Sequence, residues 1–300
     1  MPNETAPMTS ADDPLPDLIR ALRSRTPVDR LRAAKDLGRL GWLARDALPA
    51  LVGILGDDDA KVREAAAHAV GQMGPDALPA LASMLSHPDK YVRRNAVWAM
   101  GKLGPLAKSS LTDLCKALKD TDPRTASGAA QALGNMGADG ADAIPQLAEA
   151  MRGTNIVLCR LAAKALSSIG PPALATLISH LQHSDPFVRG ESALALGWMG
   201  AVARSAVPFL AQVVRGPKGY TPRPTPPTGS VSSSNTATPP SNVPDALTSE
   251  ENCRIYAAQA LGRIGSPAAP AIPDLKDATR HGSDALRLAA QQAIRQIQGG

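Results

Sequence analysis

Aromatic side chains are scarce in this sequence. Three Trp, three Tyr and two Phe are all that 300 residues carry, 3% of the chain, against a hydrophobic fraction of 44%. Strands favour β-branched and aromatic residues, which argues against a β-sandwich or barrel. The apolar mass is instead small and aliphatic, chiefly Ala and Leu. Cysteine is scarce too. Cys115, Cys159 and Cys253 lie far apart with no Cys-x-x-Cys, which gives neither a disulfide framework nor a zinc site. They are expected to be small packing residues. No uninterrupted apolar run reaches the ~18 residues of a membrane-crossing helix. The opening Met1-Pro2-Asn3-Glu4-Thr5-Ala6-Pro7 has no basic segment followed by an apolar one, the pattern of a secretory signal. These features predict a reduced, cytoplasmic protein with no membrane partner. A net charge of +5 permits an anionic partner without demanding one.

What the chain has in abundance is repetition. Val62-Arg63-Glu64-Ala65-Ala66-Ala67-His68-Ala69-Val70-Gly71-Gln72-Met73-Gly74 returns as Val188-Arg189-Gly190-Glu191-Ser192-Ala193-Leu194-Ala195-Leu196-Gly197-Trp198-Met199-Gly200. Aligned on its last residue, the phrase ends at Gly41, Gly74, Gly104, Gly137, Gly170, Gly200, Gly265 and Gln298, in steps of 33, 30, 33, 33, 30, 65 and 33. A period of this size marks stacked supersecondary units. Fifteen positions before each end stand Thr26, Asp59, Asp89, Asp122, Asn155, Asp185, Glu250 and Ser283. All but Glu250 are good helix N-caps, and the final Gly suits the left-handed position that closes a helix. Between cap and Gly, small and aliphatic residues recur four apart, as in Ala33 and Leu37, Ala66 and Val70, or Ala96 and Met100, so they share one helix face. A second, shorter phrase precedes each cap: Leu48-Pro49-Ala50-Leu51, Leu78-Pro79-Ala80-Leu81, Ile144-Pro145-Gln146-Leu147, Val207-Pro208-Phe209-Leu210 and Ile272-Pro273-Asp274-Leu275. Its Pro fits the first turn of a helix.

A short helix A opening on Pro-x-Leu, a polar turn, and a helix B reading Val-Arg…Ala-Leu-Gly-x-x-Gly together resemble the HEAT repeat, in the short variety named for phycobilisome lyase subunits. The resemblance covers residues 13-298 in eight units. It implies an all-α fold, a right-handed α-α superhelix of the HEAT or armadillo type with about eight helical hairpins. It also implies a ladder between turn Asp residues and an Arg column made here of Arg30, Arg63, Arg93, Arg189, Arg254 and Arg287. Ala126 and Cys159 replace the Arg in the fourth and fifth units, where the ladder is expected to break.

The double-length step holds an insertion within the seventh unit, residues 216-249, with eight Pro and many Ser and Thr. It cannot bury enough apolar surface to offset its ordering entropy and is expected to be disordered, as is a tail over residues 1-12.

Catalytic signatures are missing. The glycines end helices rather than cradle a phosphate, and neither Gly-x-Ser-x-Gly nor His-Glu-x-x-His occurs. His180 and His183, three apart, read as a solvated pair rather than metal ligands. Among HEAT-repeat proteins the deoxyhypusine hydroxylases hold iron with His-Glu pairs, and no His here is followed by Glu. No catalytic residue, metal or cofactor is expected.

The more informative constellation is a stripe. Positions one, five and nine after each Arg-column residue give Leu31, Lys35, Arg39; Glu64, His68, Gln72; Arg94, Trp98, Lys102; Ser127, Gln131, Asn135; Arg160, Lys164, Ser168; Gly190, Leu194, Trp198; Ile255, Gln259, Arg263; and Leu288, Gln292, Gln296. Seven are basic and one is acidic; two of the three Trp are among them, and Tyr256 flanks them. In the solenoids that this chain resembles, helix B lines the concave face. The stripe therefore predicts a groove for a protein partner, an acidic peptide or helix. Trp98 and Trp198 would anchor it, Arg94, Lys102, Arg160 and Lys164 would steer and orient it, and Lys35, Arg39, His68, Tyr256 and Arg263 complete the groove. The expected role is a non-catalytic, monomeric scaffold or adaptor. Two other readings compete: nucleic-acid binding in the same groove, and a tetrapyrrole lyase-like subunit.

Overall fold

The computed structural model describes residues 14–217 and 250–299. The expected tail over 1-12 and all but the first two residues of the 216-249 insertion lie outside them. The described residues form α-helices and 3-10 turns with no strand. The α-helices pair as α1 (Leu15–Ala21) with α2 (Pro27–Leu40), α3 (Leu48–Gly53) with α4 (Ala60–Gln72), α5 (Leu78–Met84) with α6 (Lys90–Leu103), and α7 (Leu111–Ala117) with α8 (Pro123–Asn135). The second half repeats the scheme: α9 (Ile144–Met151) with α10 (Ile156–Ile169), α11 (Leu174–His180) with α12 (Pro186–Trp198), α13 (Val207–Arg215) with α14 (Glu250–Ile264), and α15 (Ile272–His281) with α16 (Asp284–Gly299). The chain divides into two compact units, Met1–Ala143 and Ile144–Gly300. In the first, α2 packs on α4, α4 on α6 and α6 on α8; in the second, α10 packs on α12, α12 on α14 and α14 on α16.

Local chemistry sets the helix ends. Thr26, Asp59, Asp89, Asp122, Asn155 and Asp185 each accept an amide of the first turn of the helix that follows, and the Ser283 hydroxyl accepts from the Leu286 amide at 3.3 Å. The seven phrase-ending glycines all have positive φ, from 53° at Gly104 to 85° at Gly74. The alternation of 33- and 30-residue steps also gains an explanation. The long steps carry 3-10 connections of six or seven residues, such as Gly41–Ala47 and Gly104–Ser110. The two short steps carry only Pro75–Ala77 and Pro171–Ala173.

The core is the Ala and Leu columns. Ala33, Ala66, Ala96, Ala129, Ala162, Ala257 and Ala290 are buried, as are Leu37, Val70, Met100, Leu133, Leu166, Leu196 and Leu261. Each large aliphatic side chain taken from water contributes roughly 1.5–3 kcal/mol, and the small residues between them let helix axes approach. At Gly197 the approach leaves no room for a methyl group: a Cβ there would lie 2.9 Å from Ala260 Cα.

The Arg column ties each helix to its own turn and often to the next. Arg30, Arg63, Arg93 and Arg189 each donate from Nη1 to the two carbonyls lying five and six residues earlier. Arg30 also grips Asp57 through Nε and Nη2, both at 2.7 Å. Arg93 grips Asp120 in the same way, at 2.7 and 2.9 Å. Burial works to raise the Asp57 and Asp120 carboxyls, but the Arg forks and one backbone amide each outweigh it and hold both below the ordinary value. Arg189 reaches Glu250. Arg254, buried, donates to the Val214 carbonyl at 2.8 Å and pairs with Glu251. Arg287 pairs within its own helix, with Asp284. As expected, Ala126 brings no rung, and the Cys159 thiol substitutes a weaker donor, 3.2 Å from the Gly153 carbonyl.

Candidate partner-binding face

In the first unit the structure gathers the α2 and α4 parts of the predicted stripe into one open groove, while Ser127 of α8 is buried. Close helix approach makes this so: a Cβ on Gly38 would meet Ala69 Cα at 3.2 Å, and one on Gly71 would meet Lys102 Cβ at 3.3 Å. Leu31, Lys35 and Arg39 of α2 and Glu64, His68 and Gln72 of α4, joined by Lys61, line a groove of 780 Å³. Beside it stands Trp98 of α6, 39% exposed. The His68 ring lies 6.2 Å from it, centroid to centroid, and Lys102 Nζ sits 4.9 Å above its face. Lys35, Lys61 and Lys102 are exposed, and none has a carboxylate partner among the described residues.

Not every predicted cation is available. Arg39 pairs with Asp36 at 2.8 Å. Arg94 is a strut: it holds Asp122 with Nη2 at 2.9 Å and Nε at 3.3 Å, while Asp122 accepts the Thr125 amide and hydroxyl. Burial opposes ionisation of Asp122, but these partners prevail and bring its carboxyl down to about 2. The 28-residue spacing from Arg94 to Asp122 parallels the ladder spacing of 27, a signal that was present in the sequence and unused.

The second unit holds its own stretch of the stripe. Arg160 donates from Nε to Glu191 Oε1 at 2.9 Å. Glu191 is 2% exposed; burial raises its carboxyl, with Arg160 pulling the other way. Tyr256 is a packing residue, its ring filling the space where a Gly190 side chain would stand. Lys164 and Arg263 are exposed, and Trp198 is 46% exposed.

The third Trp lies outside the stripe. Trp42 is the most exposed of the three, at 68%, and with Leu43 it lies on the 3-10 connection Gly41–Ala47. His180, expected in solvent, is buried, with no hydrogen-bond partner at Nδ1. His183 Nδ1 accepts the Asp185 amide at 3.1 Å. The three cysteines are buried, and burial pushes the Cys159 and Cys253 thiols up to about 11 and about 12, so neither is a nucleophile near neutral pH. Among the described residues no three His, Cys, Asp or Glu side chains gather to hold a metal ion, and no helix is long and apolar enough to cross a membrane.

Two family descriptions match the chain: HEAT repeats over residues 15–86, 78–158 and 144–221, and PBS lyase HEAT-like repeat over residues 254–281. No curated protein matches it. Among solved structures it is similar to YibA of E. coli, at 16% identity and a TM-score of 0.50, covering 95% of this chain and 92% of that one. It is also similar to the complex of CpcE and CpcF of phycocyanin lyase from Nostoc sp. PCC7120, at 21% identity and a TM-score of 0.42, covering 100% and 99%. Human deoxyhypusine hydroxylase in complex with glycerol aligns at 21% identity and a TM-score of 0.37, covering 95% and 96%. At such identities the likeness to YibA concerns the fold alone.

Proposed function

Because this chain belongs to the HEAT-repeat family, we propose that it is a non-catalytic scaffold or adaptor that binds an acidic protein partner on the exposed face of its second helices, centred on Trp98. The observation that carries this reading is the cluster of Trp98, His68 and Lys102 beside a groove whose Lys35 and Lys61 lack counter-ions. A half-exposed Trp with a cation over its ring suits an interface anchor. Cations left without carboxylates raise the association rate of an acidic surface. In the second unit Trp198, Lys164 and Arg263 form a separate set of the same character. Arg94 and Arg160 contribute by holding the helices that present the face, since their charges are already matched.

Fluorescence anisotropy of a fluorescein-labelled, Glu-rich helical peptide tests the reading. Trp98→Ala is expected to weaken binding at least tenfold, about 1.4 kcal/mol or more. Neutralising Lys35, Lys61 and Lys102 to Gln is expected to slow association and flatten its salt dependence. Equal affinity of wild type and Trp98→Ala would contradict the assignment, and tighter binding of an oligonucleotide than of the peptide would shift it to nucleic acid.

A further inference from the structure

Arg63 is the one member of the Arg column with no carboxylate partner among the described residues. The residue two before an N-cap accepts the amide of that cap: Ser24, Asp57, His87, Asp120 and His183 do so. Where it is Asp57 or Asp120, the carboxylate has lone pairs left over, and the fork of Arg30 or Arg93 from the preceding hairpin takes them. Where it is His87, the single Nδ1 lone pair goes to the Asp89 amide at 3.1 Å, and a neutral imidazole has no second acceptor.

Elsewhere along the repeats the Arg is either replaced or holds a carboxylate. The hairpin with Gly153 at this turn position follows one with Ala126 in the Arg column, and the hairpin with His183 follows one with Cys159. Arg189 has Glu250, and Arg254, which precedes His281, is engaged by the Val214 carbonyl and Glu251. Arg63 breaks the pattern. Its Nη1 is anchored on the Asp57 and Asp58 carbonyls, and the Tyr91 ring lies against its face at 4.4 Å. Its Nε and Nη2 edge, the edge that holds Asp57 and Asp120 in the other rungs, meets no acceptor among the described residues. Lys90 stands 5.5 Å from the same ring, and Arg94, held by Asp122, 5.3 Å from it. Arg63 lies on the same helix, α4, as the groove residues Lys61, Glu64 and His68.

We propose that the open edge of Arg63 is a carboxylate site, filled by the bound partner, which supplies in trans the rung that Asp57 and Asp120 supply within the chain. The site rests on the acidic-partner reading above and gives it a fixed point. A planar, bidentate fork selects a carboxylate over a merely negative surface, and it is held in place before binding by two carbonyls and a ring. The carboxylate is a Glu or Asp side chain or a chain terminus; peptides with free and amidated C-termini distinguish the two.

His87→Asp tests the site by filling it from within. The melting temperature is expected to rise as Arg63 gains its rung. Affinity for the labelled Glu-rich peptide is expected to fall about tenfold, the 1.4 kcal/mol of one charge-assisted pair. Pro88→Asp, which adds the same charge at the position that Asp58 occupies in the preceding hairpin, should keep affinity within about twofold. Arg63→Lys, which keeps the charge and loses the fork, should weaken the peptide several-fold with little change in salt dependence. If His87→Asp and Pro88→Asp bind alike while Trp98→Ala still loses the peptide, the Arg63 site is wrong and the Trp98 face stands. An unchanged melting temperature in His87→Asp also overturns the site, because the edge was then not open. If the wild type does not bind the peptide, both fall.

Discussion

The Asp57 carboxylate accepts both Nε and Nη2 of Arg30 at 2.7 Å and the amide of Asp59 at 2.9 Å, so one side chain joins α2 to the turn that starts α4. The Arg30 and Asp57 side chains are only 15% and 7% exposed. Asp57→Ala leaves a largely buried guanidinium unmatched and is expected to cost about 3 kcal/mol, read by urea denaturation. The pair Arg20–Asp17, at 2.8 Å but with side chains 80% and 78% exposed, is the contrast. Asp17→Ala should leave the transition midpoint where it is.

The ladder gives stability a definite pH dependence. Asp57, Asp120 and Asp122 have folded-state carboxyls held below 3.8, Asp122 at about 2. Their contribution is complete above the unfolded carboxylate value and is lost as pH falls through the folded values. Denaturation midpoints should therefore drop between about pH 4 and pH 2, and replacing Asp122 with Asn should flatten that drop.

Glu191 has the opposite sign. Its carboxyl is raised by burial above 4.5, so the folded protein holds a proton that the unfolded chain releases, and stability from this group declines as pH rises above 4.5. Glu191→Gln is expected to be more stable than wild type at pH 7 and to lose that advantage by pH 4, measured by thermal melts at both. A variant less stable at pH 7 would show that the ion pair with Arg160 outweighs the burial of Glu191.

Two glycines separate packing from propensity. Gly197→Ala places a Cβ 2.9 Å from Ala260 Cα, on backbone that cannot turn aside, and should destabilise by about 1–3 kcal/mol. Gly53→Ala meets nothing within 4 Å at the end of α3 and should be neutral or stabilise by up to about 1 kcal/mol. Differential scanning calorimetry of both variants checks the pair.

The fold was legible because six of the eight hairpins announce themselves twice, by a good cap and by a Gly, and because Ala and Leu at spacing four can form only one face. The 3-10 connections were not, since their content is the three-residue difference between steps rather than any motif. The stripe was legible as a direction but not as a set of free charges. Whether Arg94 or Arg160 is available depends on Asp122 and Glu191, which lie 28 and 31 residues away, and only stacking brings them near. Conversely, Arg63 reads as one more member of its column until the turn opposite it is seen to hold His87 where a carboxylate stands in two other rungs.

The central claim is that Trp98 sits at a face that takes an acidic partner, and fluorescence reads it directly. In a variant with Trp42→Phe and Trp198→Phe, Trp98 is the sole indole of the chain. Titration with the unlabelled Glu-rich peptide is predicted to shift its emission to the blue, saturably, with an apparent affinity that weakens as salt rises. Saturable peptide binding by calorimetry with no change in Trp98 emission would contradict the account.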